Sequence, residues 1–366
     1  MTRQEDRKKR ICMIVPDPMV QGGIAAVTSG YYGSRLEEDY DVTYVQSYRD
    51  GSRKDKLLKA LKAYVSFFRI LCKRKPDLVH IHSSFGPSFF RKMPFILMSR
   101  AWKIPVVNHI HGSAFDELYT NASALKKRLV RDIYGKCDCI IALGENWKQT
   151  FSQIVPPERI TVIPNYAPLH PEYLEESVMA VRRRKQQILF LGMLTEGKGL
   201  YEMPEVIRRV TAKLPGARFA LCGIGGDEWL KNNLPPEILK ENVLLPGWVR
   251  KEEKETFLRE SAVFFLPSHM EAMPISVLEA MGCALPVVST NAGGIPQVAA
   301  DGDNSVLCEV GDTAAMADAL CSYLEDDERR INAGRRSCEI VRQKFSLERH
   351  IESIEKVYER ILGQNK

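Results

Sequence analysis

The chain contains 366 residues, of which 45% are hydrophobic and 27% are charged, with nine cysteines. This composition is ordinary for a globular protein of about two domains, and it excludes collagen, low-complexity disorder and a small disulfide scaffold. The net charge of +6 is uneven, because residues 1–170 carry 27 basic and 16 acidic side chains whereas residues 171–366 carry 25 and 30. A basic front half predicts an anionic partner such as membrane lipid, a phosphorylated acceptor or nucleic acid, unless it is only a solvated surface.

The sequence shows no segment that would cross or enter a membrane. Its apolar stretches are far shorter than the roughly 18 residues of a spanning helix. The basic start Met1–Arg10 precedes only one strand's length of apolar residues, Ile11–Val15, so we expect no signal peptide and a cytoplasmic protein. The cysteines are irregularly spaced without a Cys-x-x-Cys pair, which predicts buried thiols in a reducing compartment. Cys137 and Cys139, the one close pair, offer too few ligands for zinc.

Short apolar runs rich in valine and isoleucine recur along the chain, with helical patterns between them. Most are continuously apolar, which is typical of strands in a parallel sheet covered on both faces. The alternation predicts a doubly wound α/β fold, and twelve strands are too many for one such sheet. The predicted strands are Ile11–Val15, Val42–Gln46, Leu78–His82, Pro105–His111, Cys139–Leu143, Ile160–Pro164, Ile188–Leu191, Arg218–Cys222, Val243–Leu245, Ala262–Leu266, Pro286–Ser289 and Ser305–Cys308.

A proline-rich segment, Pro164–Glu175, separates the sixth and seventh predicted strands. We place a hinge there and predict an N-terminal Rossmann-like domain over residues 1–170 and a C-terminal one over 171–345. Residues 346–366 are predicted as a final helix that packs on either domain, which includes crossing back to the first. The stretch Arg182–Lys185 is predicted to be a charged surface segment.

Glycine-rich turns follow several predicted strands, and ligands of open parallel sheets bind beyond the carboxyl ends of the strands. Gly22 and Gly23 follow the first strand, Lys198 lies between glycines after the seventh, and Gly225 follows the eighth. Such turns bring backbone N–H groups, and here a lysine, close to a phosphate. The alternative for each is a simple tight turn, and none has the Gly-x-Gly-x-x-Gly spacing of a standard NAD site.

A pair of glutamates lies in residues 267–282. Pro274 suits the start of a helix and Gly282 its end, so Glu271 is predicted in the preceding loop and Glu279 inside the helix. A glutamate in so apolar a helix is unusual without a partner. The alternative is two glutamates without a ligand.

The first N–H groups of the same helix, near Ile275 and Ser276, would hold an anion between the two acids. A further glycine turn, Gly293-Gly294, follows the next strand. Glycine turns and a lysine in two sheets predict a cleft between the domains that holds a diphosphate.

Two His-x-His pairs end predicted strands, His80 with His82 and His109 with His111. Alternation places each pair on one face of its strand. A four-histidine zinc site is one interpretation, and hydrogen bonding of the imidazoles to backbone is the other. His111 is the best placed of the four to reach a cleft.

These motifs together resemble the retaining glycosyltransferases of family 4, whose GT-B architecture has two facing Rossmann-like domains with an interdomain cleft. The resemblance extends from about residue 11 to 362. Its most specific element is the pair of glutamates separated by seven residues, and the other matching elements are Pro76–His82, Val162–Asn165 and Gly192–Gly199.

The resemblance implies roles for residues of this chain. Glu279 would accept hydrogen bonds from the ribose of a nucleotide sugar, and Glu271 would hold the transferred sugar. Lys198 would stabilise the departing diphosphate together with the backbone of Gly23 and of the Pro274–Ser276 turn. His111 would lie between sugar and acceptor, and Gly247–Val249 would contact the base, so Val249 joins Gly22 and Gly225 among the donor-binding residues.

The expected activity is therefore metal-independent transfer of a sugar, with retention, from a UDP-, GDP- or ADP-sugar to a glycan or lipid-linked saccharide in cell-surface polysaccharide synthesis, without a cofactor. Met193 stands where the family usually has arginine, which removes one of two cations from the diphosphate site. Gln297 and Ser305 also depart from the family pattern. The alternatives are a nucleotide-sugar epimerase of the same architecture, a non-catalytic sugar-nucleotide-binding relative, and a nucleic-acid-binding protein, which lacks the expected aromatic platforms.

The segment Arg53–Lys75 has the pattern of a basic amphipathic helix. An apolar stripe of Leu57, Leu61, Val65, Phe68 and Leu71 predicts ordinary core packing, with Phe67 and Ile70 partly outside it. The alternative is a surface that rests on anionic lipid, to which Phe89–Lys92 would contribute, and this would place the protein on the inner face of the plasma membrane.

Overall fold

The computed structural model describes residues 7–363, which form two six-stranded parallel sheets. The chain divides into two compact units. The first consists of the residues up to Asn165 together with those from Leu347 onward, and the second is Tyr166–Ser346. The doubly wound α/β prediction is confirmed, and all twelve predicted strands are present with bounds that differ from the prediction by two residues at most.

Within residues 7–165 and 347–363, the first unit has six strands and seven α-helices. Its strands are β1 (Arg10–Val15), β2 (Asp41–Gln46), β3 (Leu78–Ser83), β4 (Val106–Ile110), β5 (Cys139–Ala142) and β6 (Ile160–Val162). Its helices are α1 (Gly23–Ser29), α2 (Arg35–Asp39), α3 (Arg53–Lys73), α4 (Pro87–Ala101), α5 (Ala124–Tyr134), α6 (Glu145–Phe151) and, at the end of the chain, α15 (Leu347–Gly363).

The second unit has six strands and eight α-helices. Its strands are β7 (Gln187–Leu191), β8 (Arg218–Cys222), β9 (Val243–Leu244), β10 (Val263–Leu266), β11 (Val287–Thr290) and β12 (Ser305–Cys308). Its helices are α7 (Glu176–Lys185), α8 (Met203–Lys213), α9 (Asp227–Asn233), α10 (Pro236–Asn242), α11 (Lys251–Glu260), α12 (Ile275–Gly282), α13 (Thr313–Glu325) and α14 (Asp327–Lys344).

Each sheet has one point at which its winding direction reverses. The first sheet has the order β2-β1-β3-β4-β5-β6, so the reversal lies between β1 and β3. The second has the order β12-β11-β10-β7-β8-β9, so the reversal lies between β7 and β10. In doubly wound sheets the loops at this point diverge and leave room for a ligand.

Both cores consist of the apolar strands and the inner faces of the helices. The central strands are buried along nearly their whole length, which agrees with their continuous apolar sequence. The nine cysteines are free, and all except the exposed Cys72 are buried, so the prediction of buried thiols is wrong only at Cys72. Within residues 7–363, none of the helices combines the length and apolar character needed to cross a bilayer.

Helix α15 belongs to the first unit and is attached to it by buried hydrogen bonds. The Tyr358 hydroxyl lies 2.6 Å from Nδ1 of His80, at the centre of the sheet. His350 contacts the Tyr31 hydroxyl at 2.8 Å through Nε2 and the carbonyl of Pro164 at 2.7 Å through Nδ1. These polar contacts accompany the burial of the apolar stripe of the helix.

Helix α3 faces the core with a different side from the one predicted. Phe67 and Leu71 are buried together with Ala60 and Ala63. The stripe expected to form the core is exposed instead, and only Leu71 of that stripe is buried. The exposed apolar residues are Leu57, Leu58, Leu61, Val65 and Phe68, each about half accessible or more.

The other segment of the predicted lipid surface, Phe89–Lys92, is partly buried and partly exposed. Phe89 and Lys92 of α4 are buried, whereas Phe90 and Leu97 are exposed. The orientation of α3 is explained by Ala60 and Ala63, whose small side chains allow α3 to approach the sheet and α4 closely.

Arg182, which the sequence placed on the surface, is only 1% exposed. Its guanidinium donates to the carbonyl oxygens of Leu258, Arg259, Cys283 and Ala284 at 2.8–3.3 Å. Burial lowers the pKa of Arg182 to about 10, so the group is still charged at neutral pH. It therefore joins α7 to the carboxyl ends of α11 and α12. The last carbonyls of a helix accept no hydrogen bond from within that helix, so they are available to Arg182.

Substitution Arg182→Leu should destabilise the second unit by about 3 kcal/mol or more, because several buried carbonyls lose their donor. Arg183→Leu is the matched control, since the Arg183 side chain is partly exposed and pairs with acids at the surface, so a much smaller loss is expected. Urea denaturation of both variants measures the difference, and equal midpoints would contradict the role given to Arg182.

Candidate functional site

The loops that follow β7 and β10 meet at the reversal point of the second sheet. The loop after β7 contains Lys198, and the loop after β10 contains Glu271. The backbone N–H of His269 donates to the carbonyl of Gly197 at 3.0 Å, which ties the two loops together. The sequence thus brings two of the predicted catalytic residues to one place.

Glu271 is 7% exposed and forms an ion pair with Lys198. The Ser268 hydroxyl donates to the same carboxylate oxygen, Oε1, at 2.9 Å. The Lys198 side chain is about 30% exposed, so its ammonium is partly open to a ligand. A largely buried carboxylate with two donors is held in one orientation, which is what a group that positions a substrate requires.

Glycines allow the loop of Glu271 to pack against its neighbours. A Cβ atom at Gly294 would lie 1.8 Å from the carbonyl oxygen of Ala272, and one at Gly199 would lie 2.1 Å from that of Pro267. Gly199 also has a φ of +79°, which L side chains rarely adopt. In addition, the N–H of Gly294 donates to the carbonyl of Glu271 at 2.8 Å. Any side chain at these two positions would displace the carboxylate.

Helix α12 begins directly after this loop. Pro274 is its N-cap residue, so the helix begins at Ile275, directly after the proline predicted at its start, and it runs to Gly282. The N–H groups of Ile275 and Ser276 lie in the first turn, where no acceptor inside the helix is within reach. Glu279 lies one turn further on and pairs with Lys254 of α11 at 2.6 Å.

The remaining predicted donor-binding residues of this unit follow neighbouring strands. Gly225 lies in the turn after β8 with a φ of +111°, close to the backbone of the β7 turn, because the N–H of Leu194 donates to the carbonyl of Ile224 at 2.9 Å. Met193 is 38% exposed in that turn. Val249 is buried in the segment between β9 and α11.

Gly22 and Gly23 lie in the first unit, where they line a cavity of about 200 Å³ at the reversal point of that sheet. The cavity is also lined by residues that follow β1, β2 and β3. The predicted site residues therefore fall into two groups, one at the carboxyl edge of each sheet.

The four predicted strand-end histidines form one stacked cluster in the first unit. The rings of His80 and His82 are 4.4 Å apart, and those of His109 and His111 are 4.2 Å apart. His111 Nε2 lies 3.0 Å from Nδ1 of His82, so these two imidazoles share a hydrogen bond. Burial lowers the pKa of His80 to about 3 and that of His82 far below its ordinary value. The cluster is therefore uncharged at neutral pH.

His111 is the one histidine of these four that is not buried, since its exposure is intermediate. Desolvation and the proximity of His350 lower its pKa to about 3, and a hydrogen bond with Asn165 acts in the opposite direction. A neutral imidazole in this position donates or accepts a hydrogen bond and carries no charge.

Three histidines, His80, His82 and His109, place ligand atoms within 4.8 Å of one another. Three neutral imidazoles are an ordinary ligand set for zinc. Lys92, however, is close enough to lower the pKa of His82, so a metal bound here would add two positive charges beside another cationic group. This charge environment disfavours a divalent cation.

Residues 176–338 match the family described as glycosyl transferases group 1, and residues 23–166 match the glycosyl transferase 4-like domain. The chain belongs to glycosyltransferase family 4, of the GT-B type. The resemblance indicated by the sequence motifs is confirmed, and glycosyl transfer is the activity of the chain. The comparisons give no support to the epimerase alternative.

Among similar proteins of this family, the UDP-Gal:alpha-D-GlcNAc-diphosphoundecaprenol alpha-1,3-galactosyltransferase of Escherichia coli is 27% identical over 319 residues, which cover 82% of this chain and 80% of the relative. The N-acetyl-alpha-D-glucosaminyl L-malate synthase of Bacillus anthracis is 23% identical over 297 residues, 79% and 76% of the two chains. The sucrose-phosphate synthase from Thermosynechococcus elongatus has the same fold, with a TM-score of 0.80 at 15% identity over 98% of this chain and 100% of that one.

Sequence reasoning missed three features of this glycosyltransferase. Ser268 and Lys254 are the partners of the two glutamates, and neither stands out in the sequence, since one is an ordinary loop serine and the other is one of many surface lysines. Lys92 was assigned to a lipid surface, although it is buried beneath the cavity of the first unit. An adjacent Arg91-Lys92 pair on an otherwise apolar helix was the available signal.

The buried histidines should make the first unit sensitive to acid. Their pKa values are lowered in the folded state, so below about pH 6.5 the unfolded chain binds protons that the folded chain does not, and stability falls as the pH drops. His109→Leu should reduce this dependence by up to about 1.4 kcal/mol per pH unit between pH 6 and 4.5.

Both ring nitrogens of His109 lack a hydrogen-bond partner among the described residues, so the leucine variant should remain folded. Asn108→Leu is the control, because it removes a buried polar group that does not titrate, and its pH slope should equal that of the wild type. Denaturation midpoints across this pH range provide the measurement. An unchanged slope in His109→Leu would show that the imidazole charges in the folded state.

Proposed function

We propose that this glycosyltransferase moves a sugar from a nucleotide-diphosphate sugar to a lipid-linked or polysaccharide acceptor of the cell surface, with retention of configuration and without a metal ion. The observation that carries the proposal is the Glu271–Lys198 pair at the reversal point of the second sheet. The E. coli relative, named for a UDP-galactose donor and a diphosphoundecaprenol-linked acceptor, supports the substrate class.

The proposed donor site lies in the second unit. Lys198 would direct its ammonium to the diphosphate, and the first N–H groups of α12 at Ile275 and Ser276 would donate to the same group. Glu279 would accept hydrogen bonds from the ribose, in exchange for part of its contact with Lys254. The base would lie beside Gly225 and Val249.

The proposed chemistry needs charge stabilisation more than a nucleophile. As the bond between the anomeric carbon and the diphosphate breaks, negative charge accumulates on the phosphate oxygens. Lys198 and the α12 N–H groups would stabilise that charge, and Glu271 would hold the sugar hydroxyls so that its anomeric carbon faces the acceptor. In the first unit, His111 would lie next to the acceptor.

Met193 leaves this site with one cation fewer than the family usually has. The described cations next to the two glutamates are Lys198 and Lys254, and both are paired with carboxylates in the absence of substrate. We propose that a donor diphosphate competes with Glu271 for Lys198, which would couple donor binding to the release of the carboxylate toward the sugar.

Glu271→Gln tests this assignment. The variant keeps the size of the side chain but removes its charge, so turnover should fall by about 100-fold or more while donor binding persists. Binding is measured by the thermal stabilisation given by UDP, GDP and ADP and their sugars, where ligand at 100 times its Kd adds about 2.7 kcal/mol.

Glu241→Gln, at an exposed position of the same unit, is the control and should retain full activity. Wild-type turnover in Glu271→Gln would remove this glutamate from the mechanism. If wild-type protein is stabilised by a nucleotide sugar but transfers no sugar to any acceptor, including a diphosphate-linked GlcNAc, the non-catalytic alternative holds.

We further propose that the exposed face of α3 and α4 rests on an anionic membrane. The apolar residues Leu57, Leu61, Val65 and Phe68 lie on one side of α3, and Phe90 of α4 is exposed as well. Exposed basic side chains flank the α3 stripe, including Lys62, Arg69 and Lys73. An apolar stripe bordered by cations is typical of helices that lie in the interface of anionic bilayers.

Replacement of Leu61 and Phe68 together by serine should weaken binding to phosphatidylglycerol vesicles at low salt by about tenfold or more, because two half-exposed apolar side chains no longer enter the interface. Leu125→Ser is the control, since Leu125 is 80% exposed on α5, outside this face. Vesicle flotation measures the bound fraction. Wild-type protein that stays unbound, or equal loss in the control, would contradict the proposed surface.

A further inference from the structure

The cavity of the first unit has the features of an anion site. It lies between β1 and β3, at the reversal point of the sheet, and its volume of about 200 Å³ is several times the roughly 30 Å³ share of one liquid water. Its polar lining comes from Gln21, Tyr48, His82, Ser84, Ser88, Arg91 and Lys92.

Lys92 is a buried cation without a carboxylate partner. It is 3% exposed, and its ammonium donates to the carbonyl of Ile14 at 3.1 Å and to the hydroxyl of Ser47 at 2.6 Å. A lysine ammonium has three N–H donors, so one is left for a ligand in the cavity that Lys92 lines. No carboxylate of the described chain lies within ion-pairing distance of it. Burial and the adjacent Arg91 lower the pKa of Lys92 well below its ordinary value, and an anion bound in the cavity would act in the opposite direction by stabilising the charged ammonium.

Arg91 adds a second cation that is likewise not ion-paired among residues 7–363. Its guanidinium lies over the ring of Tyr48, 4.5 Å from the centroid, and its Nε has no hydrogen-bond acceptor within the described chain. The nearby acids are engaged elsewhere. Asp17 pairs with Lys59 at 3.1 Å, and Asp50 accepts from the Tyr48 hydroxyl and from the N–H of Gln21.

The uncharged lining suits the same kind of ligand. Ser88 Oγ accepts a hydrogen bond from the N–H of Ser84 at 3.2 Å, which leaves the Ser88 hydroxyl hydrogen free to donate. Gly22 and Gly23 contribute backbone without side chains, so the cavity stays open at that wall. Two adjacent cations, serine hydroxyls and no carboxylate form a set that stabilises a phosphate.

We propose that this cavity binds the phosphate or diphosphate of the acceptor, next to the sugar that is extended, so that Gly22 and Gly23, which the family resemblance assigned to the donor, line the acceptor site instead. The assignment rests on the proposed transfer to a lipid-linked acceptor and adds the group by which that acceptor is recognised. The placement on α4 agrees with it, because Arg91 and Lys92 face the cavity while Phe90, the preceding residue, is exposed on the apolar face. A single helix thus offers cations to a phosphate and an apolar side chain to its lipid.

The first measurement is calorimetric titration of inorganic pyrophosphate into the full chain that has been saturated with UDP, so that a nucleotide site is already filled. Binding should persist, and Arg91→Gln and Lys92→Met should each weaken it by about tenfold or more, the range expected for one charge-assisted contact. Arg131→Gln, at an exposed position of α5, is the control and should bind as the wild type does.

Two outcomes of this titration overturn the proposal. If UDP abolishes pyrophosphate binding, the cavity serves the donor diphosphate instead. If Arg91→Gln binds pyrophosphate as tightly as the wild type, the cavity is not an anion site, and this variant decides the matter even if Lys92→Met does not fold, because Arg91 is only partly buried.

The second measurement is steady-state kinetics with a diphosphate-linked saccharide and with the same saccharide lacking phosphate. Arg91→Gln should raise the KM of the phosphorylated acceptor by about tenfold or more and leave the donor KM unchanged, and the unphosphorylated acceptor should show no such difference. A raised donor KM alone would overturn the assignment. Because the titration needs no turnover, failure of the proposed transfer and failure of this site give separate results.

Discussion

Close contact between backbones at the carboxyl edge of the second sheet is the constraint on which the candidate site depends. The loop after β10 passes so near to the turns after β7 and β11 that only hydrogen atoms fit between Gly294 and Ala272, and between Gly199 and Pro267. This contact fixes the loop before any ligand is present. Glu271 and Lys198 then meet in one geometry, and α12 begins at a defined point. A preorganised site of this kind has little reorganisation left to complete during the reaction.

The two units differ in whether their buried cations are paired with carboxylates. In the second unit each candidate glutamate has its own lysine, so the site is electrically balanced when empty. In the first unit Lys92 and Arg91 have no carboxylate within ion-pairing distance in the described chain, and the histidines beside them are neutral. An unbalanced cation costs free energy in the folded protein unless a ligand supplies the opposite charge. This pattern favours binding of an anion by the first unit. In the second unit it favours exchange, in which a ligand replaces the carboxylate partner of a lysine.

The fold could be predicted from the sequence because a parallel sheet buried on both faces leaves a continuous apolar signal, which is present in most of the twelve strands. The strand order, and with it the two reversal points, was not predicted, because it depends on how the helices pack on the sheets. The partner of each glutamate could not be predicted, because Lys254 and Ser268 are ordinary residue types that become special only through distance. The same holds for Arg182. Its charge predicted a surface position, whereas in the structure it is buried and donates to four carbonyls at helix ends. On α3, the rule that large apolar residues face the core failed, because the alanines at 60 and 63 permit closer packing than leucines would.

Helix α15 completes the first unit although the whole second unit precedes it in the chain, and this has a consequence for synthesis on the ribosome. The second unit, Tyr166–Ser346, is made as one continuous segment. The first unit is completed only after that segment, because Tyr358 and His350 of α15 supply partners to His80 and Tyr31. The part of the chain that is made first therefore reaches its full set of contacts only after the second unit has been synthesised.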